Sequence, residues 1–232
     1  MNLWSNSFKD GDYIPGEFAF TVSDPETHTS LSDNRNPHLA WAQPPDATQS
    51  MALICHDPDV PSRGDDVNQE GRTVPADLPR VEFFHWVLVD LPPSMQSIAA
   101  ASFSDGVIPR GKPGPEIQNF PGLRQGLNDY TGLFANDPAM SGDYFGYDGP
   151  GPSWNDELVH RYVFTLYALD IPRLPVTGKF TGPQALAAMQ DHILNEEKIV
   201  GLIYPESDFV VREVSVHCGR YLPTEPVTED EL

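Results

Sequence analysis

Apolar residues alternate with polar or small ones in several short segments of this chain, the pattern of a half-buried β-strand. These segments are rich in aromatic and β-branched residues, which favour strands. Because no helical pattern separates them, the sequence predicts a mainly β fold, an antiparallel β-sandwich rather than a βαβ fold. The predicted strands cover residues 18–22, 39–41, 51–55, 83–91 and 160–169.

One segment has the apolar spacing of an amphipathic helix, from about Pro183 through Ile193 and Leu194. We expect this helix to cap one end of the sandwich. Residues 209–218 alternate valines with polar residues and predict an additional C-terminal strand within 205–221, followed by an acidic tail at 222–232. Long loops are expected at 62–79 and 104–143, and loops of this length are usually functional or disordered.

Composition narrows the possible functions. A chain of 232 residues with 39% hydrophobic content suffices for one domain, so residues 1–232 are predicted to form a single domain. A formal net charge of -20 and a pI near 4.4 argue against nucleic acid as a partner. No stretch is long and apolar enough for stable membrane insertion, so we expect a cytoplasmic protein. Cys55 and Cys218 make no disulfide framework and are expected to be reduced.

An acidic turn follows the apolar run 51–55. Its sequence is Asp57-Pro58-Asp59-Val60-Pro61, and because proline lacks a backbone donor, we expect the strand to end before it. A rigid turn that carries two carboxylates is a candidate site. An Asp-Pro turn is also common as a purely structural bend.

Two histidines lie in predicted strands. The two-residue period of a strand places His85 on one face with Phe83, Val87 and Val89, and Phe84, Trp86 and Leu88 on the other. The same rule places His160 with Tyr162, Phe164 and Leu166, opposite Arg161 and Tyr167. Upstream of His160, the segment Gly149-Pro150-Gly151-Pro152 is predicted to expose backbone N–H groups toward an anion.

Four motifs, in this order, resemble the phosphatidylethanolamine-binding protein family, and within it the bacterial Raf-kinase-inhibitor-like branch. They are Asp-Pro-Asp-x-Pro at 57–61, Phe-His-Trp-Val-Leu-Val at 84–89, Gly-Pro-x-Pro at 149–152 and His-Arg-Tyr-Val-Phe-Thr-Leu-Tyr-Ala-Leu-Asp at 160–170. With Asn-Pro-His-Leu-Ala-Trp at 36–41, the resemblance covers about residues 36–204. It implies a β-sandwich with a small pocket for phosphate, phosphate monoesters or phospholipid headgroups.

The resemblance also implies the residues of the pocket. Imidazole and phenol groups would donate hydrogen bonds to phosphate oxygens, while Asp57 would hold a histidine tautomer or accept an ammonium group. Bacterial relatives usually have a cysteine and a second proline where this chain has Gly151 and Ser153, so we expect a more flexible loop and altered headgroup selectivity. The ligand-binding residues are predicted to be Asp57, Pro61, His85, Gly149, Pro150, His160 and Tyr162, supported by Asp59 paired with Arg161, and by Trp86.

Three functions compete. We expect a non-catalytic protein that binds a small phosphorylated or anionic ligand without a cofactor, since no nucleophile elbow, phosphate-cradling loop or metalloprotease motif is present. The alternatives are an inhibitor of a kinase or protease partner, and a metal-dependent hydrolase using His56, Asp57, Asp59, His85 and His160. Trp154 either shields the pocket or anchors a surface loop. A homodimer is possible through the 209–218 edge.

Overall fold

The computed structural model of the chain describes residues 1–204. The predicted strand at 209–218, the acidic tail at 222–232 and Cys218 lie outside the described residues. Within residues 1–204, no helix is both long enough and apolar enough to span a lipid bilayer. Cys55 is a buried free thiol, whose pKa is raised well above its usual value by burial and by the Asp57 charge.

Strands dominate the described part of the chain. They are β1 (Asn2–Trp4), β2 (Asp12–Tyr13), β3 (Thr21–Asp24), β4 (His28–Leu31), β5 (Leu39–Ala42), β6 (Ser50–Pro61), β7 (Arg80–Leu91), β8 (Ser97–Ile98), β9 (Arg124–Gln125), β10 (His160–Leu169) and β11 (Ile193–Ile203). The helices are a 3-10 turn at Gly16–Phe18, α1 (Tyr130–Leu133) and α2 (Gly182–Met189).

The strands form a sandwich of two sheets with one separate hairpin. The larger sheet has the order β2-β11-β10-β6-β7-β9, and the smaller has the order β1-β5-β8. Neighbouring strands are antiparallel except β2 and β11, and β3 pairs with β4 as the hairpin. The predicted mainly antiparallel β-sandwich is therefore confirmed.

The main core lies between the two sheets. Leu39 and Trp41 from β5 pack there with Leu53 from β6 and with Tyr162 and Phe164 from β10. The periodicity predicted for β10 is confirmed, because Tyr162, Phe164 and Leu166 lie in this core while Tyr167 faces a second apolar cluster. The second cluster covers the outer face of the large sheet, beneath α2.

The predicted helix was too long, and the strand that follows it was not predicted. Helix α2 ends at Met189, whereas Ile193 and Leu194 begin β11, which pairs along β10. The helix begins with a capping box at Thr181 and buries Ala185 and Met189 against the outer face of the large sheet. It therefore covers a sheet face and does not cap an end of the sandwich.

The strand predicted at 18–22 and the loop predicted at 104–143 also differ from the structure. Phe18 ends the 3-10 turn, so the strand predicted at 18–22 begins only at Thr21. The region 104–143 contains β9 and α1, and Tyr130 of α1 is buried against Phe20 and Tyr144. The predicted loop at 62–79 connects β6 to β7.

The strand predicted to end at Cys55 continues to Pro61. Pairing with β10 ends at His56, so the following residues have a ladder partner only on the β7 side. The register with β7 shifts between Asp57 and Val60, where β6 has one residue more than its partner. Such a bulge next to a free edge accommodates Pro58, because its missing N–H breaks no ladder hydrogen bond.

Candidate functional site

A cavity of about 360 Å³ opens where β6, β7 and β10 meet the loops that precede β7 and β10. Asp57 and Pro61 come from β6, His85 from β7, and His160 and Tyr162 from β10. The remaining lining residues are Val60, Ser62, Arg63, Gly64, Val67, Asn68, Phe83, Tyr130, Leu133, Gly151, Pro152 and Ser153.

A β-bulge directs His85 toward this cavity. Cys55 pairs with Trp86 and His56 pairs with Phe84, so His85 is an extra residue in β7. Such a bulge breaks the alternation of faces, because Phe84 packs with Val87 and Val89 in the outer cluster, while Trp86 and Leu88 lie in the core. The predicted grouping of His85 with Val87 and Val89 was therefore wrong.

The hydrogen bond of His85 fixes its tautomer. Its Nδ1 lies 2.8 Å from the carbonyl oxygen of Asp148, and a carbonyl only accepts, so Nδ1 carries the hydrogen. Burial lowers the pKa of His85 from 6.5, against the opposing charge of Asp57. The ring is thus neutral near pH 7, and its Nε2 presents a lone pair. The ring centroids of Phe83, Tyr130 and Tyr162 lie 4.9, 5.6 and 5.1 Å from the ring centroid of His85.

His160 is held between two carboxylates. Its Nδ1 lies 2.6 Å from Oδ2 of Asp57, and its Nε2 lies 3.2 Å from Oδ2 of Asp156. Burial alone would lower the pKa of His160, but these hydrogen bonds and charges raise it to about 9. His160 is therefore an imidazolium with both N–H groups committed. Donation from His160 to a phosphate stays a prediction, and it requires the contact between Nε2 and Asp156 to open.

The carboxylates are themselves anchored. Arg80 binds Asp156 through two hydrogen bonds of 2.6 and 3.0 Å. Burial opposes ionisation of Asp156, but the bonds from His160 and Arg80 lower its pKa to about 2. Oδ1 of Asp57 accepts the N–H of Asp59, and Asp59 forms a two-bond pair with Arg161 at 2.7 and 2.8 Å. The pairing predicted for Asp59 and Arg161 is present.

Tyr162 lies on the same wall as Asp57. Burial, together with the nearby carboxylate of Asp57, keeps the pKa of Tyr162 well above its usual value, so the phenol retains its proton. The hydroxyl of Tyr130 donates to the carbonyl of Gly149 at 2.8 Å and is committed to the protein. The hydroxyl of Tyr162 is therefore a protonated, neutral group of the inner wall, within hydrogen-bonding reach of Asp57.

The structure brings five of the seven predicted ligand residues together and leaves two out. Gly149 and Pro150 do not line the cavity: the N–H of Gly149 donates to Asn34, and the carbonyl of Pro150 accepts from Phe20. Gly149 instead permits a close approach, because a Cβ there would lie 2.1 Å from the carbonyl oxygen of Phe18. The next residues of this loop, 151–153, form the wall.

Trp86 and Trp154 lie elsewhere. The indole of Trp86 is fully buried between the sheets and donates to Gln125 at 2.8 Å, so it is a core residue and not part of the cavity wall. Trp154 stacks on His28 at 3.9 Å beside a second, smaller cavity. Ser153 lines both cavities, and its buried hydroxyl has no hydrogen-bond partner among the described residues.

Sequence reasoning missed several residues of the site. Asp156 and Arg80 hold His160, while Phe83 and Tyr130 form the aromatic wall. The spacing of Asp156, four residues before His160, was a usable signal. Arg80 gave none, because its partner is 76 residues away. Within residues 1–204, no three His, Cys, Asp or Glu side chains are arranged to hold a metal ion.

Comparison with known proteins agrees with the fold. The sequence model of the phosphatidylethanolamine-binding protein family matches residues 4–204. A protein of Methanothermobacter thermautotrophicus, named UPF0098 protein, is 30% identical over 202 residues, covering 87% of this chain and 97% of that protein. UPF0098 protein YbhB of Escherichia coli is 28% identical over 202 residues, covering 87% and 99%.

Solved structures show the same fold. Escherichia coli YbcL, described as a new member of the mammalian PEBP family, superimposes with a TM-score of 0.61 at 20% identity, covering 87% of this chain and 96% of that one. A homologue from Chlamydia trachomatis, described as a putative phosphatidylethanolamine-binding protein, gives a TM-score of 0.58 at 24% identity, covering 88% and 96%.

Proposed function

Because this chain belongs to the phosphatidylethanolamine-binding protein family, we propose that it is a non-catalytic binding protein for phosphate monoesters or phosphate-bearing headgroups. The observation that carries this proposal is the position of His85, whose Nδ1 is committed to Asp148 while the ring lines the cavity. Its Nε2, together with the hydroxyl of Tyr162, forms the polar contact surface for a phosphate. The aromatic wall contacts the remainder of the ligand.

Proton balance sets the form of the ligand. Near neutral pH, Nε2 of His85 is a lone pair and repels a phosphate dianion unless one proton lies between them. A phosphate monoester has a second pKa near 6, so that proton comes from the ligand as P–OH or is taken up by His85 from solvent. In either case the complex holds one proton more than the dianion and neutral His85 together. Affinity is therefore expected to rise as the pH falls from 8 toward 5.

The supporting charges keep the site from being strongly acidic. Asp57 is neutralised by His160, and Asp156 by Arg80 and His160. Arg63 adds a positive side chain to the cavity lining. The charges at the cavity wall therefore nearly cancel, so the wall opposes an anion less than the chain's net charge of -20 would suggest. Because the inner charged groups are paired with one another, the proposed role is binding and not bond cleavage.

Calorimetry tests the proposal with inorganic phosphate and phenyl phosphate. For phenyl phosphate, titrations at pH 7 in two buffers of different ionisation enthalpy are expected to report uptake of close to one proton per ligand, whereas inorganic phosphate, already partly protonated at pH 7, should take up less. His85→Gln cannot take up this proton, and we expect about a tenfold or greater loss of affinity, the effect of one charge-assisted hydrogen bond. The matched control is His38→Gln, since His38 accepts from the N–H of Asn6 and does not line the cavity.

Three results would count against the proposal. Absence of binding by the wild-type protein removes it. Equal affinity of wild type and His85→Gln places any phosphate elsewhere. Steady release of phenol from phenyl phosphate would contradict the non-catalytic part, because a binding protein leaves its ligand intact.

A further inference from the structure

The loop at 62–79 forms one side of the cavity. It joins β6 to β7 and contains no helix or strand of its own, apart from an isolated bridge at Val74. Five of its residues nevertheless line the cavity: Ser62, Arg63, Gly64, Val67 and Asn68. A loop of this length needs contacts from outside to hold one conformation, because it has few backbone hydrogen bonds of its own.

Asn155 supplies these contacts through its side chain. Its Nδ2 lies 2.9 Å from the carbonyl oxygen of Asp66, 3.0 Å from that of Arg72 and 3.4 Å from that of Gln69. Its Oδ1 accepts the N–H of Asn68 at 3.0 Å. Asn155 is buried, so water does not replace these bonds without opening the loop. One amide group thus fixes the loop at four places.

The backbone next to Asn155 continues the attachment. The N–H of Val74 donates to the carbonyl of Asn155, and the N–H of Glu157 donates to the carbonyl of Val74. The side chain of Asn68 accepts the N–H of Trp154 at 3.1 Å. The loop is therefore tied to the segment that also carries Ser153 of the cavity wall and Asp156, the partner of His160.

We propose that Asn155 is a specificity-determining positioning residue, which holds the 62–79 loop against the cavity and so sets which group can extend from a bound phosphate. This inference rests on the proposed function of the cavity. Asn155 itself does not line the cavity, so it acts through the loop. At the phosphate end, His85 is held by Asp148 and Tyr162 faces Asp57 of β6, so neither group is bonded to this loop.

The proposal separates two parts of a ligand. Inorganic phosphate needs only the polar end at His85 and Tyr162. The phenyl group of phenyl phosphate extends past the phosphate and gains contacts from the loop, especially from Val67. Loss of the Asn155 amide should therefore weaken phenyl phosphate and leave inorganic phosphate almost unchanged.

The test compares Asn155→Ala with Asn36→Ala as a matched control. Asn36 is also buried, and its side chain bonds four backbone groups of another loop, the carbonyls of Pro37 and Ala99 and the N–H groups of Phe103 and Ser104. It does not line the cavity. For Asn155→Ala we expect affinity for phenyl phosphate to fall about tenfold and affinity for inorganic phosphate to stay within about twofold. Asn36→Ala should leave the ratio of the two affinities unchanged.

A second readout needs no ligand. Arg63 and Arg72 are the exposed arginines of the loop, so trypsin reports its opening. Asn155→Ala should be cut within 62–79 about tenfold faster than wild type, while Asn36→Ala should not. If Asn155→Ala fails to fold, Asn155→Asp keeps the acceptor for Asn68 and loses the donors, and it carries the same expectations.

The outcomes are separable. If Asn155→Ala leaves the ratio of the two affinities as in wild type, whether or not both fall, the specificity role of Asn155 is overturned. The cavity's binding function then remains in place. Unchanged cleavage of the loop overturns its positioning by Asn155. If wild-type protein binds neither ligand, the proposed function itself has failed and the specificity role fails with it, while the trypsin result still decides whether Asn155 holds the loop.

Discussion

Oδ2 of Asp57 lies 2.6 Å from Nδ1 of His160, and both side chains are buried. On the other side of the ring, Nε2 faces Asp156, which is bound in turn by Arg80. Negative and positive charges therefore alternate along four residues that form and support one wall of the cavity. This arrangement ties the geometry of the site to the stability of the fold.

Stability should depend on pH in a defined way. The pKa of His160 is raised from 6.5 to about 9, so its contribution is complete below pH 6.5 and is lost as the pH rises through 9. The pKa of Asp156 is lowered from 3.8 to about 2, so its contribution is complete above pH 3.8 and is lost as the pH falls through 2. Urea unfolding should therefore show a loss on the order of 3 kcal/mol between pH 6.5 and 9.5.

His160→Asn provides the check on this slope. The variant has no imidazolium to deprotonate, so its stability should be lower at pH 6 and nearly flat from pH 6.5 to 9.5. His192→Gln, on a partly exposed ring paired with Asp170, serves as the control and should keep the wild-type slope. A wild-type slope in His160→Asn would assign the pH dependence to other groups.

Removal of Arg80 should be costly. Its side chain is 11% exposed, and Arg80→Met leaves a buried carboxylate at Asp156 with only His160 as its cation. Breaking a buried ion pair on one side typically costs about 3–5 kcal/mol, because the remaining charge stays desolvated. Arg35→Met is the control, since the side chain of Arg35 is 40% exposed and its carboxylate partners are exposed as well. Urea midpoints that shift equally in the two variants would contradict the role of Arg80.

Gly149 should matter for packing rather than for anion binding. A Cβ at this position meets the carbonyl oxygen of Phe18 at 2.1 Å, so Gly149→Ala must displace backbone and should cost about 1–3 kcal/mol. Gly64→Ala is the comparison, because Gly64 lines the cavity and has nothing within 4 Å of its Cβ position. Thermal unfolding measures both. A neutral Gly149→Ala would show that the loop yields easily.

The strands that follow simple alternation were predictable from the sequence. In β10, Tyr162 and Phe164 lie in the core and Tyr167 on the outer face, as the two-residue period requires. The same rule failed at His85, because a bulge adds one residue to β7 and a single sequence contains no signal for it. The prediction that β6 ends before the acidic turn failed for a related reason. Pro58 is accommodated within the strand because β6 no longer pairs with β10 at that position.

Strand β11 was not predicted because its first residues fit the apolar spacing of a helix. Ile193 and Leu194 continue the apolar spacing of α2, and Glu196, Glu197 and Lys198 then interrupt any strand pattern. Only pairing with β10 makes this segment a strand, and such long-range pairing overrides local preference.

The ion pairs at the site also differ in whether the sequence predicted them. Asp59 and Arg161 were predicted because both belong to motifs, while Arg80 was not.

Nitrogen-15 NMR of the His85 ring, titrated from pH 5 to 8.5 with and without inorganic phosphate, shows whether His85 binds the phosphate. Without phosphate, we expect a neutral ring near pH 7, protonated on Nδ1, because Nδ1 donates to Asp148 and burial lowers the pKa of His85. With phosphate, the pKa of His85 should rise and the Nε2 signal should move toward that of a protonated nitrogen. A His85 titration that phosphate leaves unchanged, while phosphate still binds, would contradict the claim that His85 binds the phosphate.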